Sequence, residues 1–306
     1  MPEPSPPSAA VHPPRPTSYP PERHALRDLD VTTEHLTAER SLSVAPVDGP
    51  VRNAAGAASI GFLAALFDTN AGLMALIAGR PKWTATLDLG LHATGWLTEG
   101  PAVLEGRLVR AGSNIVVIGA DVYDGCGVGD LDELAGDTGR RPHVASGIAT
   151  FTRIPARASA ASGSLDPLGL VGTRRNLGPV VAPDPVPLGE RIGLRVIDAA
   201  NGVVELHNHP YVQNSFGAIN GGVLGMVFQA AAEGAVAGMV ATDLQVHYLS
   251  QAKVGPARTS LDVLRRTADH AVCAIRAVDA GNDDVVLALA TVTLQPPPLG
   301  TTGSVS

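Results

Sequence analysis

Cysteine, aromatic side chains and positive charge are all scarce in this chain. Two cysteines among 306 residues do not make a disulfide framework, and neither Cys126 nor Cys273 has a His or Cys partner at metal-ligand spacing. Ordinary thiols in a reducing compartment are the expectation. A net charge of −7 argues against a general nucleic-acid binder, which carries a basic face. No Gly-x-Ser-x-Gly elbow and no phosphate-binding Gly-rich loop with its Lys are present. No run of eighteen apolar residues free of glycine breaks stands out as a membrane span, and the N-terminus lacks the apolar core of a secretory signal. These absences lead us to expect a cytoplasmic protein with no membrane span, no nucleic-acid partner, no cofactor and no metal site.

What the sequence does contain is a repeat. Residues 214–240 run from Asn214 through Asn220-Gly221-Gly222 into some eighteen residues that are apolar or small on nearly every face. Such a segment is a buried helix, and its Gly225, Ala230, Ala231, Ala232, Gly234 and Ala235 let other backbone come close. At a constant offset of 161, Ser59-Ile60-Gly61 falls on Asn220-Gly221-Gly222, Phe67 on Phe228, Asp68 on Gln229 and Asn53 on Asn214. A second block, Leu87-Asp88-Leu89-Gly90-Leu91-His92 over Thr242-Asp243-Leu244-Gln245-Val246-His247, repeats at offset 155. Two copies of one fold follow.

In order, residues 1–27 hold nine prolines and few large apolar side chains, and read as a disordered tail. Residues 28–156 form the first copy: a strand near 41–47, the helix from Ile60, then strands near 84–92, 101–111, 114–123 and 144–153. An acidic, Gly-rich excursion at 124–141 does not fit an EF-hand. Residues 157–187, rich in Pro, Gly, Ala and Ser, read as a linker that leaves domain geometry free. The second copy, 188–296, has strands near 190–197 and 202–207, the central helix, and four further strands; 297–306 is a second disordered tail. One helix cannot connect a parallel sheet, so the class is α+β with antiparallel sheets.

One buried helix wrapped by an antiparallel sheet, a small-residue pair at its start, and a strand reading Thr242-Asp243-Leu244-Gln245-Val246-His247-Tyr248-Leu249 resemble the hotdog fold. More narrowly, Asn214 through Gly255 resembles the acyl-CoA thioesterases of the phenylacetyl-CoA thioesterase type, and the two copies imply a tandem hotdog. In that family one unit supplies a loop Asn and a helix-start Gly, whose N–H holds the thioester carbonyl. The other supplies an acid two turns into its helix and a hydroxyl at the next strand. Here the resemblance divides those parts between the copies. Asp68 and Thr86 (with Thr84 as the fallback) stand in the first, while Asn214, Gly221 and Gly222 stand in the second. The complementary set of Gln229, Ala241, Ser59 and Ile60 lacks both acid and glycine. One composite site hydrolysing an acyl-CoA thioester is implied, with chain–chain association into a homo-oligomer.

Each residue also has a plainer reading. Asp68 would carry a pKa raised by its apolar neighbours if it acts as base or nucleophile, or else it faces solvent or caps a strand. Gly221-Gly222 could serve close packing alone. Asn220 stands where the family has His, and suits a helix N-cap. Glu233 is either a replacement acid or a satisfied carboxylate. Lys253, Arg258, Arg265 and Arg266 are candidates, by position, for the CoA phosphates. His207, His209 and His247 lack a second shell for a metal. The rival readings are an acyl-CoA binding protein without turnover and an enoyl-thioester hydratase, the latter without its Asp/His pair.

Overall fold

The computed structural model describes residues 19–155 and 166–298. Among them, thirteen strands form one antiparallel sheet with two long helices on its concave side. The first half contributes α1 (Ala25–Asp28), β1 (Thr32–Glu34), β2 (Arg40–Ala45), α2 (Ile60–Gly79), β3 (Trp83–Ala93), β4 (Ala102–Ala111), β5 (Ile115–Asp124), α3 (Leu131–Leu134) and β6 (His143–Ile154). After β7 (Arg174–Asn176), the second half gives α4 (Leu188–Arg191), β8 (Arg195–Asp198), β9 (Val203–Leu206), α5 (Gly221–Ala235), β10 (Val240–Tyr248), β11 (Ala257–Arg266), β12 (Ala271–Asp279) and β13 (Val285–Gln295). The strand order β7-β1-β2-β4-β5-β6-β3-β10-β13-β12-β11-β9-β8 reads as the same half-sheet twice, joined where β3 pairs with β10.

That seam is written in the repeat. Asp243 lies opposite His92, Gln245 opposite Gly90 and His247 opposite Asp88. His92 Nδ1 lies 3.0 Å from Asp243 Oδ1, and His247 bonds Asp88 in the same way. The repeated Asp and His of each copy therefore meet their opposite numbers across the junction.

α2 is apolar around nearly its whole circumference, and fifteen of its residues are buried. By length and composition it could cross a membrane, but here the sheet and α5 surround it. Phe62, Leu63, Leu66 and Phe67 are each at most 4% exposed, worth about 1.5–3 kcal/mol per side chain. Both helices are capped from the preceding residue: Ser59 Oγ accepts from Phe62 N at 3.3 Å and Asn220 Oδ1 from Val223 N at 3.2 Å. α5 stops at Ala235, short of the apolar run's end, because Gly238 at φ +87° turns the chain into β10.

A further repeat escapes inspection of the sequence. At offset 155, Asp124 and Asp279 each turn a buried carboxylate onto a strand-entry turn. Asp124 accepts from Gly100 N at 2.8 Å and Asp279 from Gly255 N at 2.6 Å, both glycines sitting at left-handed φ (+77° and +79°).

Four expectations are corrected. Residues 19–27 are packed: His24 is fully buried, its Nδ1 accepts from Leu26 N at 3.1 Å, its Nε2 lies 2.7 Å from Gln213 O, and Ala25 N donates to Tyr211 O. The prolines there serve as rigid acceptors, since the Arg27 guanidinium donates to the carbonyls of Pro20 and Pro21. Residues 1–18 and 299–306 lie outside the described residues. The linker fixes geometry as far as it is described, because β7 pairs with β1 and Arg174 donates to both Glu34 and Asp132. The excursion at 124–141 is anchored by Leu131 and Leu134, buried with Leu42 and Val103 on the convex side. A strand near 190–197 gives way to α4, then Gly193 at φ +74°, then the short β8.

The Asp279 carboxylate makes a direct test of the turn repeat. Asp279→Ala leaves the N–H groups of Val254 and Gly255 without their acceptors and is expected to cost about 3 kcal/mol, read as a lower urea midpoint. Asp279→Asn, which keeps one acceptor, should cost less.

Candidate active site

α2 and α5 cross in opposite directions at a distance only glycine permits. A Cβ on Gly222 would lie 2.6 Å from Ala65 Cα, and one on Gly61 would lie 2.8 Å from Met226 Cα. This contact carries the first turn of α5 to the middle of α2, where Asp68 is 9% exposed. Gly222 N donates to Asp68 Oδ2 at 3.0 Å. Thr86 Oγ1 donates to Asp68 Oδ1 at 3.1 Å, from a β-bulge in β3 between Thr86 and Asp88 that re-aims the side chain inward. Thr84 also lines the cavity but does not reach the carboxylate.

Burial pushes the Asp68 pKa above the ordinary 3.8, and the hydrogen bonds from Thr86 and Gly222 only partly offset it. The Gly222 N–H is therefore spent on the acid. Among the described residues the neighbouring Gly221 N–H has no hydrogen-bond partner, and Gly221 lines the cavity. Tyr248, at the end of β10, donates to Gly221 O at 2.8 Å. Burial and then the nearby Asp68 charge drive the Tyr248 phenol far up, so it stays a donor. A Cβ on Gly221 would stand 3.3 Å from Asp68 Oδ2 and 3.4 Å from the Tyr248 hydroxyl, so any side chain there presses on both.

Asn214 is used on its own loop. Its Oδ1 accepts from Phe216 N and Ala218 N at 2.9 and 3.2 Å, as Asn53 does from Ala55 N and Ala57 N at the same two distances. The Asn220 side chain is the helix cap already described. These groups stand at the head of a cavity of about 610 Å³. Half of its boundary is aromatic or aliphatic, with Leu73, Leu76, Trp83, Phe216, Leu224 and Tyr248 prominent. Trp83 and Phe216 meet edge to face, 5.7 Å between centroids.

The equivalent place in the other half is closed, with only about 20 Å³ of space. Gln229 copies the geometry of Asp68 without its charge: its Oε1 accepts from Gly61 N at 2.8 Å. Its Nε2 donates to both oxygens of Glu233 at 3.1 Å, and Glu233 in turn accepts from Ala241 N at 3.0 Å. Glu233 is thus a satisfied carboxylate, raised in pKa by burial but facing no cavity.

The four cations chosen for CoA do not line the cavity. Arg258 pairs with Glu205 at 2.7 Å, Lys253 is exposed beside the cavity residue Ala252, and Arg265 and Arg266 lie at the far end of β11 opposite Val272 and Ala271. Position along the chain sets them near the second copy's strands, and strand direction carries the last two away. Arg175 does line the cavity. Only the pairing of β7 with β1 brings it there, from a segment whose composition is that of a linker. The sequence does not single out the aromatic residues either. In a chain with two tryptophans, four tyrosines and five phenylalanines, Tyr19, Trp83, Phe151, Phe216 and Tyr248 share this one cavity. No cluster of three His, Cys, Asp or Glu suited to a metal occurs among the described residues.

Comparison with known proteins agrees with this architecture. Residues 210–295 match the family model of the acyl-CoA thioesterase N-terminal domain. No curated protein matches the sequence. Among solved structures, a tesB protein of Mycobacterium avium subspecies paratuberculosis is 11% identical with a TM-score of 0.53, covering 90% of this chain and 98% of that one. The 12:0-ACP thioesterase of Umbellularia californica is 9% identical with a TM-score of 0.55, over 84% and 94%. A conserved protein of Alicyclobacillus acidocaldarius described as having the hot dog fold is 12% identical with a TM-score of 0.52, over 89% and 97%. At such identities the shared property is the fold. By fold the chain is a tandem hotdog protein, and its residues 210–295 match the acyl-CoA thioesterase family model.

Proposed function

We propose that the chain hydrolyses acyl-CoA thioesters at a single composite site, with the acid drawn from the first hotdog unit and the carbonyl-binding turn from the second. One observation carries this reading: the buried Asp68 carboxylate is bonded to one N–H of the α5 turn while the adjacent N–H, on Gly221, has no partner among the described residues and lines a large cavity. An unpaired N–H at a helix start, where the dipole favours negative charge, polarises a carbonyl and holds an oxyanion.

Asp68 takes a proton from water as the water oxygen bonds to the thioester carbon. The carbonyl electrons move onto oxygen, against Gly221 N–H. When the tetrahedral species collapses the C–S bond breaks, and the proton held by Asp68 passes to the leaving sulfur. A free carboxylic acid and a thiol result. The raised pKa of Asp68 makes it a stronger base than a solvated carboxylate, and Thr86 and Gly222 hold both of its oxygens in place. Tyr248, by donating to Gly221 O, fixes the peptide that carries the Gly222 N–H, and so the donor that holds Asp68 at the α5 turn.

Thiol release from a panel of acyl-CoA thioesters tests the reading. Asp68→Asn is expected to lower kcat by about 10²- to 10⁴-fold. It should not lower Tm. A carboxylate whose folded pKa is raised destabilises the fold increasingly as pH climbs from 3.8 to the raised value, and the neutral amide removes that cost. For the same reason kcat/KM of the wild type should fall on acidification with an apparent pKa above 3.8. Turnover untouched by Asp68→Asn would remove Asp68 from the mechanism.

Two further variants separate the halves. Gln229→Ala, in the closed counterpart, should leave kcat within about threefold, whereas a loss as large as that of Asp68→Asn would contradict a single site. Tyr248→Phe should lower kcat roughly tenfold with little change in KM, since it loses one hydrogen bond to the carbonyl-binding turn.

A further inference from the structure

The cavity has a second polar place that the hydrolytic step does not use. β1 lies between β2 and β7, and Thr33 is opposite both Ser43 and Arg175. Cross-strand partners share a face of the sheet, and so does the residue two further on. The Thr33 hydroxyl lies 2.6 Å from Ser43 Oγ, which accepts from Asn70 Nδ2 of α2 at 2.8 Å. This face of the strands therefore looks onto α2. Thr33, His35 and Arg175 all line the cavity.

His35 is 2% exposed, and among the described residues neither of its ring nitrogens has a hydrogen-bond partner. Buried polar groups are nearly always paired, so an imidazole with both nitrogens idle beside a cavity calls for a missing partner. Arg175 is half-buried and, among the described residues, has no carboxylate or carbonyl on its guanidinium. Its neighbour Arg174 is committed to Glu34 and Asp132, so the acids nearby are already used. Burial and then the Arg175 charge hold His35 neutral, with a pKa of about 4. The wall thus offers a guanidinium fork with no counter-charge, backed by a buried imidazole without a partner, in a chain of net charge −7.

Its location limits what the ligand is. Thr33 is tied through Ser43 to Asn70, and Ser41, the next residue of β2 on that face, touches Asn70 and Met74. The patch therefore lies beside α2 between two and six residues past Asp68, about 3–9 Å along the helix axis. The CoA phosphates sit beyond a long pantetheine arm, so this spacing from the reacting carbonyl suits a group on the acyl side.

We propose that His35 and Arg175 form a subsite for a carboxylate on the acyl group, so that the protein favours ω-carboxyacyl thioesters of about six to eight carbons over methyl-ended acyl thioesters of equal length. The proposal rests on the reading of Asp68 and Gly221 as the reacting end of the cavity.

Adipoyl-CoA and suberoyl-CoA, beside hexanoyl-CoA and octanoyl-CoA, provide the test. Turnover is measured for wild type, Arg175→Gln, His35→Leu and His35→Gln. Dissociation constants for the same four compounds are measured by calorimetry in an Asp68→Asn background. The wild type is expected to prefer the carboxylated member of each pair at least tenfold in kcat/KM. Arg175→Gln should cost suberoyl-CoA at least ten times more than octanoyl-CoA, His35→Leu should act in the same direction, and His35→Gln should recover part of the loss. Equal losses on both members of a pair would assign Arg175 to the CoA phosphates and overturn the proposal, as would a wild type without preference. Should the wild type bind with this preference yet release no thiol, the hydrolytic reading fails while the subsite stands.

Discussion

Everything in this molecule depends on how closely two buried helices approach. Gly61 and Gly222 occupy equivalent positions in the two copies, and each lets its own helix lie against the backbone of the other. A methyl group at either position meets a Cα at 2.6–2.8 Å, closer than real packing allows. That contact presents the turn of α5 to the side of α2, so a carboxylate from one copy and backbone donors from the other occupy the same few ångströms. Glycine here serves packing and the hydrogen bond to Asp68 together, and the two cannot be separated by substitution at Gly222 alone.

From a symmetric scaffold the chain has built an asymmetric protein. The loop asparagines, the helix caps, the seam pairs and the turn carboxylates are all retained twice, since each holds backbone that the fold needs in both halves. The positions facing the helix crossing have diverged. One side holds Asp68, Thr86 and open space; the other holds Gln229, Ala241 and Glu233 locked to one another. Gln229 keeps the hydrogen bond to Gly61 N that structure requires and gives up only the charge. A buried charge is costly, so losing it where no cavity exists relieves the fold without changing its geometry.

The cavity is completed by elements that belong to neither helix. Tyr19 and Leu26 come from the segment before the first strand, Trp83 from the start of β3, Phe216 from the Asn214 loop and Arg175 from the connection between halves. In the closed counterpart the equivalent space shrinks to about 20 Å³. The connection and the N-terminal segment both lie on the open side, which is one reason the two sides differ.

The sequence by itself settled the architecture. An all-round apolar helix, alternating strands and a constant offset between copies are local patterns, and local patterns survive without knowledge of tertiary contacts; helix and strand limits fell within a residue or two for most elements. The same offset divided acid and glycine between the halves. It could not say that Gly222 N–H would be taken by Asp68 and leave Gly221 free, because that turns on an interhelical distance of fractions of an ångström. Nor could it find Tyr248, His35 or Arg175. Their places around the cavity come from β10 ending at the α5 turn and from a three-residue strand, β7, pairing with β1 across some 140 residues of chain. Periodicity fixes which face a residue lies on, but only long-range pairing decides what that face looks at.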